Sequence, residues 1–271
     1  MRISQPAVPT ALREKVLEKL GMTHYPAADR PGLYALYQVC SRHIPYDNLR
    51  RRIQLAARPA ELSPLIAPER FFRDWLSDGV GGTCWEFQAA LHALLSDCGF
   101  TLRYAMSTVQ MPGQEGSLYY HGTLIADVDD QPLIFDPPLM LGEPLPLKPH
   151  SLDHPLWQSG VHFSDGSWCI TWRPLGRPPV DCRLYHLNAS AEEVLDQRET
   201  LRHLDYSHFF ASTLIRALHT DSISGIVKGE YIVRHADGHE TRRPLSHSQQ
   251  QRLLTEEFGI SERLAVQVPA G

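Results

Sequence analysis

The 271-residue sequence has no apolar run long enough to cross a bilayer, and its opening, MRISQPAVPTALREK, lacks the uninterrupted hydrophobic segment of a secretory signal. These two absences lead to the expectation of a cytoplasmic protein with no membrane partner. Paired cysteines are missing as well. The five thiols, Cys40, Cys84, Cys98, Cys169 and Cys182, are odd in number and never in C-x-x-C spacing, so neither a disulfide framework nor a zinc cluster is indicated. The fourteen histidines include no H-E-x-x-H, and His150 and His154 lie in a proline-rich stretch unsuited to helical pairing, so no metal site is expected. Positive charge is not in excess: the net charge is −5, and the basic cluster Arg50-Arg51-Arg52 is too short to track a nucleic-acid backbone. The cluster reads as a solvated patch, with contact to a cofactor phosphate as the alternative. Internal repeats and low-complexity segments are absent.

What is present is a chain with 42% hydrophobic residues, enough for a sizeable core. The first part reads as helices: TALREKVLEKLGM with Leu12, Val16, Leu17 and Leu20 on one face, then GLYALYQVCSRH, PERFFRDWLSDG, and an amphipathic run after Thr83. IPYDNLRRR reads as an irregular connector. From Thr101 the period changes to two. TLRYAMSTVQM, LYYHGTLIADV and PLIFD read as strands joined by PGQEGS and DDQ, followed by VHFSDGSWCITWRP and CRLYHLN. The last third mixes a helix through NASAEEVLDQRETL capped by Asn188, a hairpin around Asp237-Gly238, and a closing helix in SQQQRLLTEEFGI. Helices, then strands, then a mixed region argue for an α+β protein with an antiparallel sheet or barrel in the middle.

One cysteine is placed differently from the rest. Thr83 followed by Glu86 forms a capping box and makes Cys84 the first residue of a helix, just after Gly81-Gly82. The unpaired amides and the positive end of the helix dipole favour a thiolate there. Cys98 stands at the opposite end of the same helix, where the dipole disfavours negative charge, and is expected to pack. A base for Cys84 is offered by the strands around DVDDQ. His121 and Asp136 are equidistant from the junction of Val128 and Asp129, so a hairpin folded there sets them at or near opposite positions on neighbouring strands. A carboxylate so placed can hold an imidazole in one tautomer. Cys84, His121 and Asp136 together form a candidate nucleophile, base and orienting acid.

The block Gly81-Gly82-Thr83-Cys84-Trp85-Glu86, with His121 and Asp136 beyond it, resembles the R-G-G-x-C-x-E, H and D of the arylamine N-acetyltransferase family. HIPYDNL resembles that family's IPFENL connector, and SHFFASTLIRA, GEYIVRHADGHETRRPL and LLTEEFGI resemble its C-terminal pattern, so the likeness spans nearly the whole chain. It implies an N-terminal helical bundle (1–98) carrying the cysteine, a central antiparallel β-barrel (99–187) carrying the histidine and aspartate, and a C-terminal α/β lid (188–271) on a cysteine-protease-like core. It also implies ping-pong acyl transfer from acyl-CoA, acetyl-CoA by default, through a Cys84 acyl-enzyme to an arylamine-type acceptor, with no bound cofactor. By correspondence Tyr46 and Leu139 take the places of two phenylalanines that shape the acceptor pocket; Trp85, Tyr119 and Tyr120 are weaker candidates.

Three positions depart from the family pattern. The arginine before the glycine pair is Val80 and the connector glutamate is Asp47, so the ion pair these form in relatives is lost from both ends. A buried Asp47 would need a new partner, for which Arg50 and Lys19 are candidates. The third departure is Asp136-Pro137-Pro138-Leu139-Met140 in place of D-V-G-F-G, two prolines stiffening a loop that is glycine-rich in relatives. That change leaves open a bulkier acyl group or one on the phosphopantetheine arm of an acyl carrier protein, as in an amide synthase. Hydrolysis of thioesters or amides by the same three residues is the further alternative.

Overall fold

The computed structural model describes residues 8–57, 67–109, 121–190, 192–197 and 211–270. The N-terminal part is helical: α1 (Thr10–Lys19), α2 (Arg30–His43), α3 (Leu49–Ala57), α4 (Pro68–Asp78) and α5 (Cys84–Asp97). The periodic residues of α1, Leu12, Val16 and Leu17, are buried as the spacing predicts. α2 starts two residues before the glycine with which its pattern opens, because Asp29 caps it by accepting from the Gly32 amide at 2.8 Å.

The connector is more regular than its sequence indicates. Tyr46–Asp47 is a short strand, β1, and α3 follows directly. The arginines concealed α3 because its inner face is built partly from their stems. Arg52 is 5% exposed and its guanidinium donates to the Ala211, Pro269 and Ala270 carbonyls and to Thr213 Oγ1. Arg50 is ion-paired with Asp74 at 2.6 Å. The expectation of a solvated basic patch is therefore wrong for these two residues: they brace the fold. The run after Thr83 is likewise not a surface amphipathic helix, since α5 buries Trp85, Phe87, Gln88, Ala89, Ala90, Leu91 and both leucines at 94 and 95.

Eight strands form an antiparallel sheet curled into a nearly closed barrel: β2 (Thr101–Val109), β3 (His121–Val128), β4 (Gln131–Phe135), β5 (Leu145–Pro146), β6 (His150–Leu152), β7 (Ser159–Ser164), β8 (Ser167–Trp172) and β9 (Val180–Ala189). Their order is β5-β4-β3-β2-β9-β8-β7-β6, and β5 also approaches β7. α5 packs against β2 and β3 over the largest core cluster, which joins Leu91, Leu94 and Leu95 to Leu124, Ile125, Leu133 and Ile134. Gly122 permits this approach, because a Cβ there would sit 2.6 Å from the Trp85 ring.

A second sheet, in the order β1-β10-β11-β12-β13, contains β10 (Leu214–Leu218), β11 (Ser222–Val227), β12 (Glu230–His235) and β13 (Glu240–Pro244), and ties the connector to the last third of the chain. The hairpin around Asp237-Gly238 is present, and another turns at Lys228-Gly229, both in the left-handed region. α6 (His247–Glu256) is capped by Ser246, and α7 (Glu262–Ala265) follows. The helical segment 192–197 is capped by Ser190, whose amide donates to Glu193 at 2.7 Å; Asn188, expected to cap it, belongs to β9. PGQEGS, Tyr119, Tyr120 and the Ser207–Phe210 part of the C-terminal motif lie outside the described residues. No helix among the described residues is long and apolar enough to cross a membrane.

Candidate active site

Cys84 is the first residue of α5, and the capping box stands as expected, with the Thr83 amide donating to the Glu86 carboxylate at 3.3 Å. The two glycines before it bring the connector against the helix entrance. A Cβ on Gly81 would overlap the Pro45 carbonyl, and the Asp47 amide donates to the Gly82 carbonyl at 3.2 Å. Asp47, 1% exposed, is satisfied mainly by backbone: Oδ2 accepts from the Gly81 amide at 2.7 Å and Oδ1 from the Leu49 amide at 3.0 Å. Burial pushes its pKa up to about 6 against the opposing field of Arg50 and those two amides. Arg50 thus helps through its charge, while its ion pair goes to Asp74. Lys19 is not a partner; it donates to the Trp75 carbonyl at 2.7 Å and lies over that indole.

His121 opens β3 and Asp136 directly follows β4. The hairpin turns at Asp129-Asp130, both at positive φ, one residue later than the equidistant point between His121 and Asp136 requires. Leu124 pairs with Phe135, so Asp136 falls level with Thr123 and His121 lies diagonal to it on the same face. The diagonal is closed by a hydrogen bond: Asp136 Oδ2 accepts from His121 Nε2 at 2.7 Å, with His121 5% and Asp136 0% exposed. The imidazole is also hydrogen-bonded to the Cys84 side chain, and with Nε2 engaged by the carboxylate, Nδ1 is the nitrogen left for the sulfur. Burial opposes the protonated ring, but the charge and hydrogen bond of Asp136, joined by Cys84, outweigh it and push His121 up to about 10. The three side chains proposed from spacing therefore meet.

The turn after Asp136 is braced from α2. Tyr37 Oη accepts from the Leu141 amide at 2.8 Å and donates to the Asp136 carbonyl at 3.4 Å. Pro137–Leu139 form a single 3₁₀ turn with the prolines in its first positions, where a backbone donor has no partner within the turn. Tyr46 and Leu139, 7% and 4% exposed, sit in the same buried cluster as Cys84. Cys98 caps the far end of α5, packs against that cluster, and has its thiol pushed up by burial to about 11. No group of His, Cys, Asp and Glu able to hold a metal occurs among the described residues.

The N-acetyltransferase family profile matches residues 31–265, most of the chain. The chain belongs to the arylamine N-acetyltransferase family. It is accordingly an enzyme of the acetyl-transferring class. No curated protein matches the chain. Among solved structures, the chain is similar to the arylamine N-acetyltransferase of Salmonella typhimurium, with a TM-score of 0.77 at 18% identity over 95% of this chain and 97% of that one. The Mycobacterium abscessus enzyme gives 0.79 at 16% identity over 94% and 92%. The Mycobacterium marinum enzyme in complex with CoA gives 0.78 at 14% identity over 93% and 97%. Identities this low bear on the fold: an α+β chain with the eight-strand barrel of arylamine N-acetyltransferases.

Sequence reasoning missed two residues beside the site. Cys182 on β9 is fully buried, and its thiol is pushed well up by burial, with Asp136 and Cys84 adding to the effect. Arg216 on β10 pairs with Tyr46 in the sheet, and its guanidinium lies 4.3 Å from the centre of that ring. Its available signal was a lone charge inside the apolar strand Leu214–Leu218.

Proposed function

We propose that this family member transfers an acyl group, acetyl by default, from coenzyme A to an arylamine-type nucleophile by a ping-pong mechanism, with Cys84 as nucleophile, His121 as base and acid, and Asp136 as the residue that orients His121. The observation carrying this reading is the continuous hydrogen-bonded line from Cys84 through His121 to the buried Asp136. The CoA complex of the Mycobacterium marinum relative supports acyl-CoA as the donor class.

His121, held protonated by Asp136, faces Cys84 as an imidazolium, and the Cys84 sulfur attacks the thioester carbonyl carbon as the thiolate of that pair. The tetrahedral intermediate collapses, the carbon–sulfur bond to coenzyme A breaks, and the leaving thiolate receives the proton from His121. The amine then attacks the Cys84 thioester, His121 removes its proton, and collapse releases the amide and restores the sulfur. An arylamine nitrogen is unprotonated at neutral pH and needs no prior deprotonation to attack. In this reading Tyr46 and Leu139 wall the acceptor pocket, and residues 1–98, 99–187 and 188–271 act as bundle, barrel and lid around a core of cysteine-protease type.

The test is intact mass after incubation with acetyl-CoA, then with an arylamine. A single acetyl adduct, absent in Cys84→Ala and discharged by the amine, is expected. An adduct that vanishes in buffer alone would identify a hydrolase instead, and absence of any adduct with acetyl or longer acyl donors would refute acyl transfer.

A further inference from the structure

Arg216 is a full positive charge inside the protein, 7% exposed, and has no carboxylate partner among the described residues. Among the described residues its guanidinium makes one hydrogen bond, from Nη2 to the Pro138 carbonyl at 3.0 Å, and its Nε is buried without an acceptor. The guanidinium lies 4.3 Å from the centre of the Tyr46 ring and 5.4 Å from that of Trp172, so two aromatic faces fix its plane. Burial lowers its pKa, and the fields of Tyr46, Asp136 and Cys84 oppose that, which places it within electrostatic reach of the candidate nucleophile. Asp136 Oδ1 is buried without a hydrogen-bond partner, yet no ion pair joins it to Arg216.

An uncompensated buried guanidinium is costly, and proteins retain such a group where an anion completes it. Its position is specific: Tyr46 precedes Asp47, which grips the Gly81 amide at the entrance to α5, and Pro138 lies two residues past Asp136. We infer that Arg216 is a specificity residue that receives a carboxylate carried by one of the two substrates, either on the acyl chain of the donor or on the ring of the aromatic amine. The planar fork, with donors unused and aromatic faces holding it, suits a carboxylate better than a neutral amide or an alkyl group. This inference rests on the proposed acyl transfer at Cys84.

The experiment compares charged and uncharged partners of similar size in both half-reactions. Acylation of Cys84 is timed by intact mass with malonyl-CoA against butyryl-CoA, and discharge of the acetylated enzyme with 4-aminobenzoate against 4-aminobenzamide. In one of the two arms the wild-type protein is expected to favour the carboxylate by about 10- to 100-fold in kcat/KM. Arg216→Gln should collapse that ratio to near one, and Arg216→Lys should recover part of it, since charge returns without the fork. If acylation proceeds but neither arm favours the carboxylate in the wild-type protein, the inference is overturned while acyl transfer stands. Equal losses for charged and uncharged partners in Arg216→Gln would make Arg216 a structural brace and also overturn it. If no donor acylates Cys84, the functional reading fails and the inference falls with it.

Discussion

Replacing Asp136 by Asn tests the centre of the proposed site through its pH dependence. In the wild-type protein the folded-state pKa of His121, pushed up to about 10, lies above the ordinary value of 6.5. A group raised in this way adds stability that is fully present below pH 6.5 and is lost as pH climbs through 10. Asn at position 136 removes the charge that holds the proton, while the burial of the ring remains. The His121 pKa of the variant should then fall back toward its ordinary value, with Cys84 alone opposing the burial of the ring, so the variant's stability changes little over this range. The gap between the two proteins should therefore be widest in acid and close across pH 6.5 to 10. A shift of this size, and the known cost of breaking a buried ion pair, both set the acid-side gap at roughly 3–5 kcal/mol. Urea unfolding midpoints measured at half-unit pH steps give the gap directly. A gap that stays constant through this range would show that Asp136 does not hold a proton on His121. The same variant should acylate Cys84 about 10⁴-fold more slowly, as expected when an imidazole loses its orienting carboxylate.

Cys84→Ala should abolish acyl labelling, whereas Cys98→Ala should keep it and lower only thermal stability; intact mass on both variants distinguishes the two thiols, and the reverse result would invert the assignment. Tyr37→Phe leaves the buried Leu141 amide without its acceptor and should cost about 1–3 kcal/mol by urea unfolding, with slower acylation because the turn carrying Asp136 loosens. Gly122→Ala forces the new methyl into the Trp85 ring and should cost about 1–3 kcal/mol, read as a lower Tm; an unchanged Tm would mean that α5 and β3 do not pack as described.

Local rules carried the reading where neighbours in sequence are neighbours in space. The Thr83 and Glu86 capping box depends on groups three residues apart, so the position of Cys84 at a helix start was legible without coordinates. The hairpin joining His121 to Asp136 was legible for the same reason, yet its register was misjudged by one residue at the turn. Two successive left-handed aspartates, Asp129 and Asp130, shift the ladder and convert an opposite pair into a diagonal one. The pair survives that shift because long side chains reach across a diagonal on one face. α3 escaped notice because arginine stems line its buried side, and hydropathy counts them as polar.

By itself the sequence determined the α+β order of elements, the helix-capping thiol, and the histidine and aspartate of one hairpin, because each is set by periodicity, capping or turn chemistry acting over a few residues. Tertiary structure alone decided that backbone amides satisfy Asp47 in place of an ion pair, that Arg52 is buried against the last residues of the chain, and that Arg216 stands beside Tyr46 and Pro138. Those contacts join segments far apart along the chain. Whether a charge there is solvated, braced or left waiting for an anion depends on what the packed elements bring to it, which no local pattern encodes.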